Sequence, residues 1–275
     1  MRHSNGRIVW TAMVAVVGLL VASNARAQSE LETEQWKEWR TKLFADRPIQ
    51  EDPTGVFQFD VPLRPESGAN VPLAIKVTGT QSAERFVKRI IVVIDKNPEP
   101  LAAVFHLTPD AGLAVIETEM RVETHSPVRA IVEMSDGKLT MAAKFVKAAG
   151  GCSTAPVLDA DAAAAAARLG QMQIRLPEAI TRNEPNRIQL IVNHPNYTGF
   201  QKHPLKHYMI SAHYVTDIKV SYGDRPILTA QTTIAESEDP NLRFYFTPRD
   251  AGQLKVEVKD SRGQQFAKAV DVAPR

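Results

Sequence analysis

The chain holds a single cysteine in 275 residues. No internal disulfide can form, so any covalent partner of this sulfur comes from outside the chain. Net charge is also scarce: 33 Lys and Arg face 31 Asp and Glu, a formal balance of +2. That balance argues against electrostatic binding to nucleic acid or to an anionic membrane surface. There is no phosphate loop, no dinucleotide fingerprint and no paired-carboxylate site, so the common nucleotide-dependent and glycosidase chemistries find no footing. Past the first two dozen residues no apolar run is long enough to cross a bilayer. Helical periodicity is almost missing as well.

What is present begins with an export signal. Met1-Arg2-His3 and Arg7 precede an apolar run from Ile8 to Ala22, and Ala25-Arg26-Ala27 follows. A basic start, a short apolar core and an Ala-x-Ala site mark residues 1–27 as a secretory signal peptide, with cleavage expected near Gln28 and a periplasmic mature chain. Export sharpens the meaning of the unpaired cysteine, because a leftover thiol in a secreted protein implies an intermolecular bond or a reactive group.

Ser29 to Phe44 carries Trp36, Trp39, Leu43 and Phe44, with Trp36 and Leu43 on one helical face and Ser29 or Thr33 as caps. From Val56 the period becomes two. Phe57, Phe59 and Val61 alternate with polar residues, as do Leu73, Ile75 and Val77. Phe86–Asp95 is a β-branched run typical of a central strand. Further short strands follow to Val146, punctuated by turns at Asn97-Pro98, Pro109–Gly112 and Asp136-Gly137. Residues 28–149 therefore predict an antiparallel sandwich with an N-terminal helix. Residues 150–171 break the pattern: they hold the cysteine and six alanines, Ala162–Ala167, and predict a flexible linker with at most a brief helix capped by Asp159 or Asp161. Residues 172–275 return to strands and predict a second sandwich.

The chemistry of the chain centres on Lys147–Pro156. Cys152 stands behind Gly150 and Gly151, and Ser153, Thr154 and Ala155 follow it. With no apolar neighbour at strand or helix period, the composition predicts an exposed thiol on a flexible glycine arm rather than a buried structural cysteine. Lys144 and Lys147 stand ahead of it, either as groups that lower its pKa or as a solvated strand end. Four histidines cluster later: His194, His203, His207 and His213. His203 and His207 have the i, i+4 spacing of a helical metal pair, but Pro204 lies between them, so a surface loop with aromatic packing is expected from Asn196 to Tyr208 and no metal. Cysteine hydrolysis needs a His and an Asn or Asp held beside the nucleophile. A mobile arm does not hold that geometry, so no catalytic residue and no cofactor are expected.

Two sets of motifs carry a family resemblance. Ile94–Pro100, Val128-Arg129-Ala130 and Gly150-Gly151-Cys152 resemble SoxY, the sulfur-carrying subunit of a periplasmic thiosulfate-oxidising system. Ile174–Pro177, Ile191–Pro195 with Thr198-Gly199, and Arg243–Phe246 resemble its partner subunit SoxZ. Their order in one chain is similar to the fused SoxYZ-like carriers associated with periplasmic quinoprotein dehydrogenases. The resemblance implies an all-β protein of two immunoglobulin-like sandwiches that pair with each other. It also implies Cys152 as the site where sulfur intermediates are attached, Gly150 and Gly151 as its flexible arm, and redox or sulfur-processing enzymes, a quinoprotein dehydrogenase among them, as partners. The thiol departs from SoxY in one respect: some 120 residues follow it, so the arm is tethered at both ends. The rival expectation is a scaffold for a dehydrogenase in which Cys152 is dispensable.

Overall fold

The computed structural model describes residues 31–51, 53–156 and 162–275. The signal peptide, the cleavage site near Gln28, the cap candidate Ser29 and the acids Asp159 and Asp161 lie outside the described residues.

Helix α1 spans Glu34–Phe44. The Thr33 hydroxyl accepts the Trp36 N–H at 3.0 Å, which satisfies one of the open donors of the first turn. Strands β1 (Ile49–Gln50), β2 (Phe57–Asp60), β3 (Val71–Thr80), β4 (Val87–Ile94), β5 (Leu101–Leu107), β6 (Leu113–Met120), β7 (Ser126–Met134) and β8 (Leu139–Val146) build the first half. A short helix α2, Ala162–Arg168, follows. Strands β9 (Met172–Arg175), β10 (Asn186–Val192), β11 (Val215–Tyr222), β12 (Arg225–Thr232), β13 (Asn241–Phe246), β14 (Gly252–Asp260) and β15 (Gln265–Val272) build the second. The all-β expectation holds, as does the short N-terminal helix.

The two halves are joined far more closely than a linker would join them. One sheet of nine strands runs β1-β8-β7-β4-β5-β12-β11-β14-β15, and a second of six runs β2-β3-β6-β13-β10-β9. The seams between halves are β5 against β12, from Leu107 opposite Leu228 to Ala103 opposite Thr232, and β6 against β13 at Glu117 and Arg243. A single apolar cluster fills the space between the sheets, from Phe57 and Ile75 in the first half to Phe244 and Val256 in the second. The pairing of the two sandwiches that the resemblance implies is present: backbone ladders and a shared core hold the halves edge to edge, where each sandwich alone would leave open strand edges.

Helix α1 explains why β4 is apolar on both faces. Trp36 and Phe44 pack with Ile91, Val93, Ile131 and Met141 on the outer side of the large sheet. The buried Arg129 pairs with Asp95 at 2.9 Å and stacks 4.5 Å from the centre of the Trp36 ring. Thr33 donates to the same Asp95 carboxylate at 2.6 Å. A paired and hydrogen-bonded charge is the form in which burial is tolerated.

Candidate functional site

Cys152 is fully buried, which overturns the exposed thiol expected from its small neighbours. Burial comes from other parts of the chain folding over it. The stretch after β6, residues 121–123, runs alongside the cysteine segment. Gly150 N–H donates to the Glu123 carbonyl at 2.7 Å and Gly151 N–H to the Val122 carbonyl at 3.2 Å. The Glu123 carboxylate accepts three more hydrogen bonds: from Cys152 N–H at 2.7 Å, Ser153 N–H at 3.0 Å and the Ser153 hydroxyl at 2.6 Å. From the second half, the buried Thr198 hydroxyl donates to the Cys152 carbonyl at 2.6 Å and Gln201 Nε2 to the Thr154 carbonyl at 3.1 Å. Arg121 Nη1 completes the seat on the Gly151 carbonyl at 3.1 Å. The thiol therefore sits at the junction of the two halves, gripped by both.

The glycines serve this seat rather than slack. Gly150 has φ +72, a left-handed backbone that glycine adopts without strain. At Gly151 a Cβ would be driven into the Gly68 carbonyl and the Val122 backbone. The expected flexible arm at Gly150 and Gly151 is, in this structure, a hydrogen-bonded turn pressed against neighbouring backbone. At a net of ~1 kcal/mol per hydrogen bond, more where a carboxylate accepts, lifting the segment costs several kcal/mol.

Electrostatics keep the seated sulfur protonated. Burial first, and then the Glu123 carboxylate, push the Cys152 thiol up to about 12, with Arg121 pulling weakly the other way. The lysines named from sequence are not its partners: Lys144 is exposed and lies 3.9 Å from Asp60. Arg121 is itself buried, and burial lowers its pKa; its Nε has no hydrogen-bond partner. Beneath it Glu236 is buried and accepts from Thr118 at 3.0 Å, and desolvation raises it to about 8.

The histidines divide. His203 and His207 form no ligand pair: His203 Nδ1 accepts the N–H groups of Leu205 and Lys206, and His207 is exposed with φ +59. His194, His213 and Asp260 do converge, with ligand-type atoms all within 4.8 Å of one another. His213 Nε2 lies 2.8 Å from Asp260 Oδ2, and His194 Nε2 lies 3.7 Å from the same oxygen with no hydrogen-bond partner. The donor set does not suit a metal. His194 Nδ1 accepts the Asn196 N–H at 3.1 Å, so the neutral ring carries its proton on Nε2, where a metal would need a lone pair. Desolvation, followed by His213, lowers His194 to about 4 and keeps it neutral. The cluster anchors Asn196, whose carbonyl meets Arg121 Nη2 at 3.4 Å and whose amide ties Ser237 at 2.8 Å.

Sequence reasoning misses Glu123, Arg121 and Gln201. They lie about thirty residues before the cysteine and nearly fifty after it. Nothing local to the cysteine signals them. Thr198 stands in the SoxZ-like motif, which does not convey the role the structure gives it.

Comparison with known proteins agrees with this division of the seat. The family model described as "Sulfur oxidation protein SoxY" matches residues 40–152, ending on the cysteine, and that described as "Sulphur oxidation protein SoxZ" matches residues 174–271. Among solved structures, the sulfur carrier protein SoxY from Chlorobium limicola f thiosulfatophilum is similar at 24% identity, covering 46% of this chain and 97% of its own, with a TM-score of 0.34. A superoxide reductase (neelaredoxin) from Ignicoccus hospitalis is similar at 15% identity, covering 42% of this chain and 89% of its own, with a TM-score of 0.31. A search of the curated proteins gives no match. The chain thus joins in one polypeptide a SoxY-family region, matched over residues 40–152, and a SoxZ-family region, matched over residues 174–271, whose Thr198 and Gln201 help to seat Cys152.

Proposed function

We propose that this protein is a periplasmic carrier that holds a sulfur species covalently on the Cys152 sulfur and presents it to partner enzymes, without turning it over itself. SoxY and SoxZ domains indicate a sulfur-oxidation carrier. One observation supports the finer reading most: the sole cysteine ends the SoxY-like segment and is held by residues of both halves. Attachment of a sulfane anion through a new S–S bond removes the thiol proton and two electrons. A partner redox enzyme is the oxidant that takes those electrons; a quinoprotein dehydrogenase is one such enzyme. Attack requires the thiolate, and the seated thiol at about 12 is inert at neutral pH. Loading therefore proceeds from an opened segment, and closure afterwards returns an unloaded sulfur to shelter.

The burial of Cys152 also favours a second reading, a scaffold whose sandwiches bind a dehydrogenase and whose cysteine is only structural. Intact mass of the protein purified from its own periplasm separates the two. A carrier shows a reductant-labile sulfur adduct that Cys152→Ser lacks, and the variant loses coupled turnover. A scaffold shows the bare mass, and Cys152→Ser retains full turnover.

A further inference from the structure

The five large apolar side chains most exposed on the described surface are Leu63, Phe200, Leu205, Tyr208 and Met209. Four of them belong to one loop between β10 and β11. The fifth, Leu63, accepts the Lys147 N–H on the way to the cysteine segment. Scattered exposed leucines need no explanation, but four large apolar side chains on the one loop that also holds the cysteine segment do.

The loop that displays the four is folded rather than slack. Lys202 and Met209 face each other in an antiparallel bridge. His203 N–H donates to the Tyr208 carbonyl at 2.8 Å, Ile210 N–H to the Gln201 carbonyl at 2.8 Å, and the His203 and Tyr208 rings lie 4.9 Å apart. A fixed hairpin that points apolar side chains into solvent meets a partner with little ordering cost. Its charge has one sign: Lys202 and Lys206 are exposed, and no Asp or Glu occurs between Asn186 and Thr216. The inner side of the same loop carries Thr198 and Gln201, which hold the carbonyls of Cys152 and Thr154.

We infer that the outer face of this loop is the docking surface for the enzyme that acts on the group carried by Cys152. That enzyme presents an apolar hollow rimmed by carboxylates, and seating it on the loop loosens the Thr198 and Gln201 bonds that close the thiol. The inference rests on the carrier reading of Cys152. Four apolar side chains make a small interface of the kind seen in transient encounters, which suits a carrier that must leave again. Two lysines on the rim raise the association rate and make it sensitive to salt. A lipid surface would use the same apolar and basic groups, but it would gain nothing from the coupling to the cysteine segment.

The test uses the full chain with benzoylphenylalanine at position 205, and at position 253 as a distant control, irradiated in the native periplasm. The protein cross-linked from position 205 is identified, purified and titrated with the carrier by calorimetry. The expected result is salt-sensitive binding that weakens about tenfold or more in Lys202→Glu/Lys206→Glu and in Phe200→Ser/Leu205→Ser, and that Cys152→Ser leaves unchanged. Both patch variants lie on the surface and fold normally, checked by their melting temperatures. The inference is overturned if position 205 cross-links only a second copy of this chain or nothing. It is also overturned if the patch variants bind as wild type does, or if the carrier floats with phosphatidylglycerol vesicles through the same side chains and binds no protein. Full coupled turnover by Cys152→Ser would remove the carrier reading while leaving a patch-dependent affinity standing, so the two failures are told apart.

Discussion

The segment 150–154 and the loop 200–209 exchange the roles their compositions suggest. The first is small, glycine-led and free of large apolar residues, yet it carries a sulfur shut away from solvent. The second holds Phe, Leu, Tyr and Met, yet turns all four outward. Hydrogen bonding explains the exchange. Small residues let backbone approach backbone, so segment 150–154 is held through its own N–H and carbonyl groups by Val122, Glu123, Arg121 and Thr198. The loop spends its backbone bonds on itself and on the seat, and its large side chains are left over. Composition reports what a segment is able to bury, whereas backbone partners decide what is buried.

Breaking the first region should have the largest effect. Gly151→Val places a branched side chain against Gly68 and Val122, so the segment should be expelled and the Cys152 alkylation rate should rise about a thousandfold, the factor that ~4 kcal/mol of lost protection gives. Glu123→Ala removes the acceptor of three hydrogen bonds. It should raise the same rate about a hundredfold and lower stability by about 2 kcal/mol, read by urea denaturation. Alkaline pH probes the seat without a structural change. The thiol is raised from 9.0 to about 12 on folding, so the folded state keeps its proton after the unfolded state has lost it. Stability should be full below about pH 9 and should fall by up to ~1.4 kcal/mol per pH unit as pH approaches 12. A Cys152→Ser protein measured alongside should lack that slope. The smallest effect belongs to the second region: Phe200→Ser/Leu205→Ser should shift stability by no more than about 0.5 kcal/mol and leave alkylation of the free protein unchanged.

Strand periodicity alone makes most of the fold legible. Strand β8 falls on Leu139–Val146 as expected, and the helix ends at Phe44 with Thr33 as its cap. Strand β1 escapes because Ile49-Gln50 sits between prolines and pairs only through a parallel partner, Leu139 to Thr140, ninety residues on. The seam between halves is legible only as pairing implied by family resemblance. Edge-to-edge registers such as Ala230 against Phe105 join strands far apart in sequence and leave no local period. At the candidate site the cysteine and its glycines stand out by rarity, but their environment does not. Composition credits Gly151 with freedom because glycine allows it; its actual constraint is the space that Gly68 and Val122 leave. The β-branched run of β4 does announce burial on both faces, and Trp36 over Arg129 is what covers the outer one.

Cys152, the proposed carrier thiol, is closed at the junction of the two halves, and its reaction requires the segment to open. The most direct measurement is the rate of Cys152 alkylation by iodoacetamide at pH 8, in the native protein and in urea, followed by intact mass. The native rate should lie about a thousandfold below the unfolded one and should rise toward it in Glu123→Ala and Gly151→Val. A native rate within a factor of about three of the unfolded rate, unmoved by either substitution, would contradict it, since no closed seat would then exist to be opened.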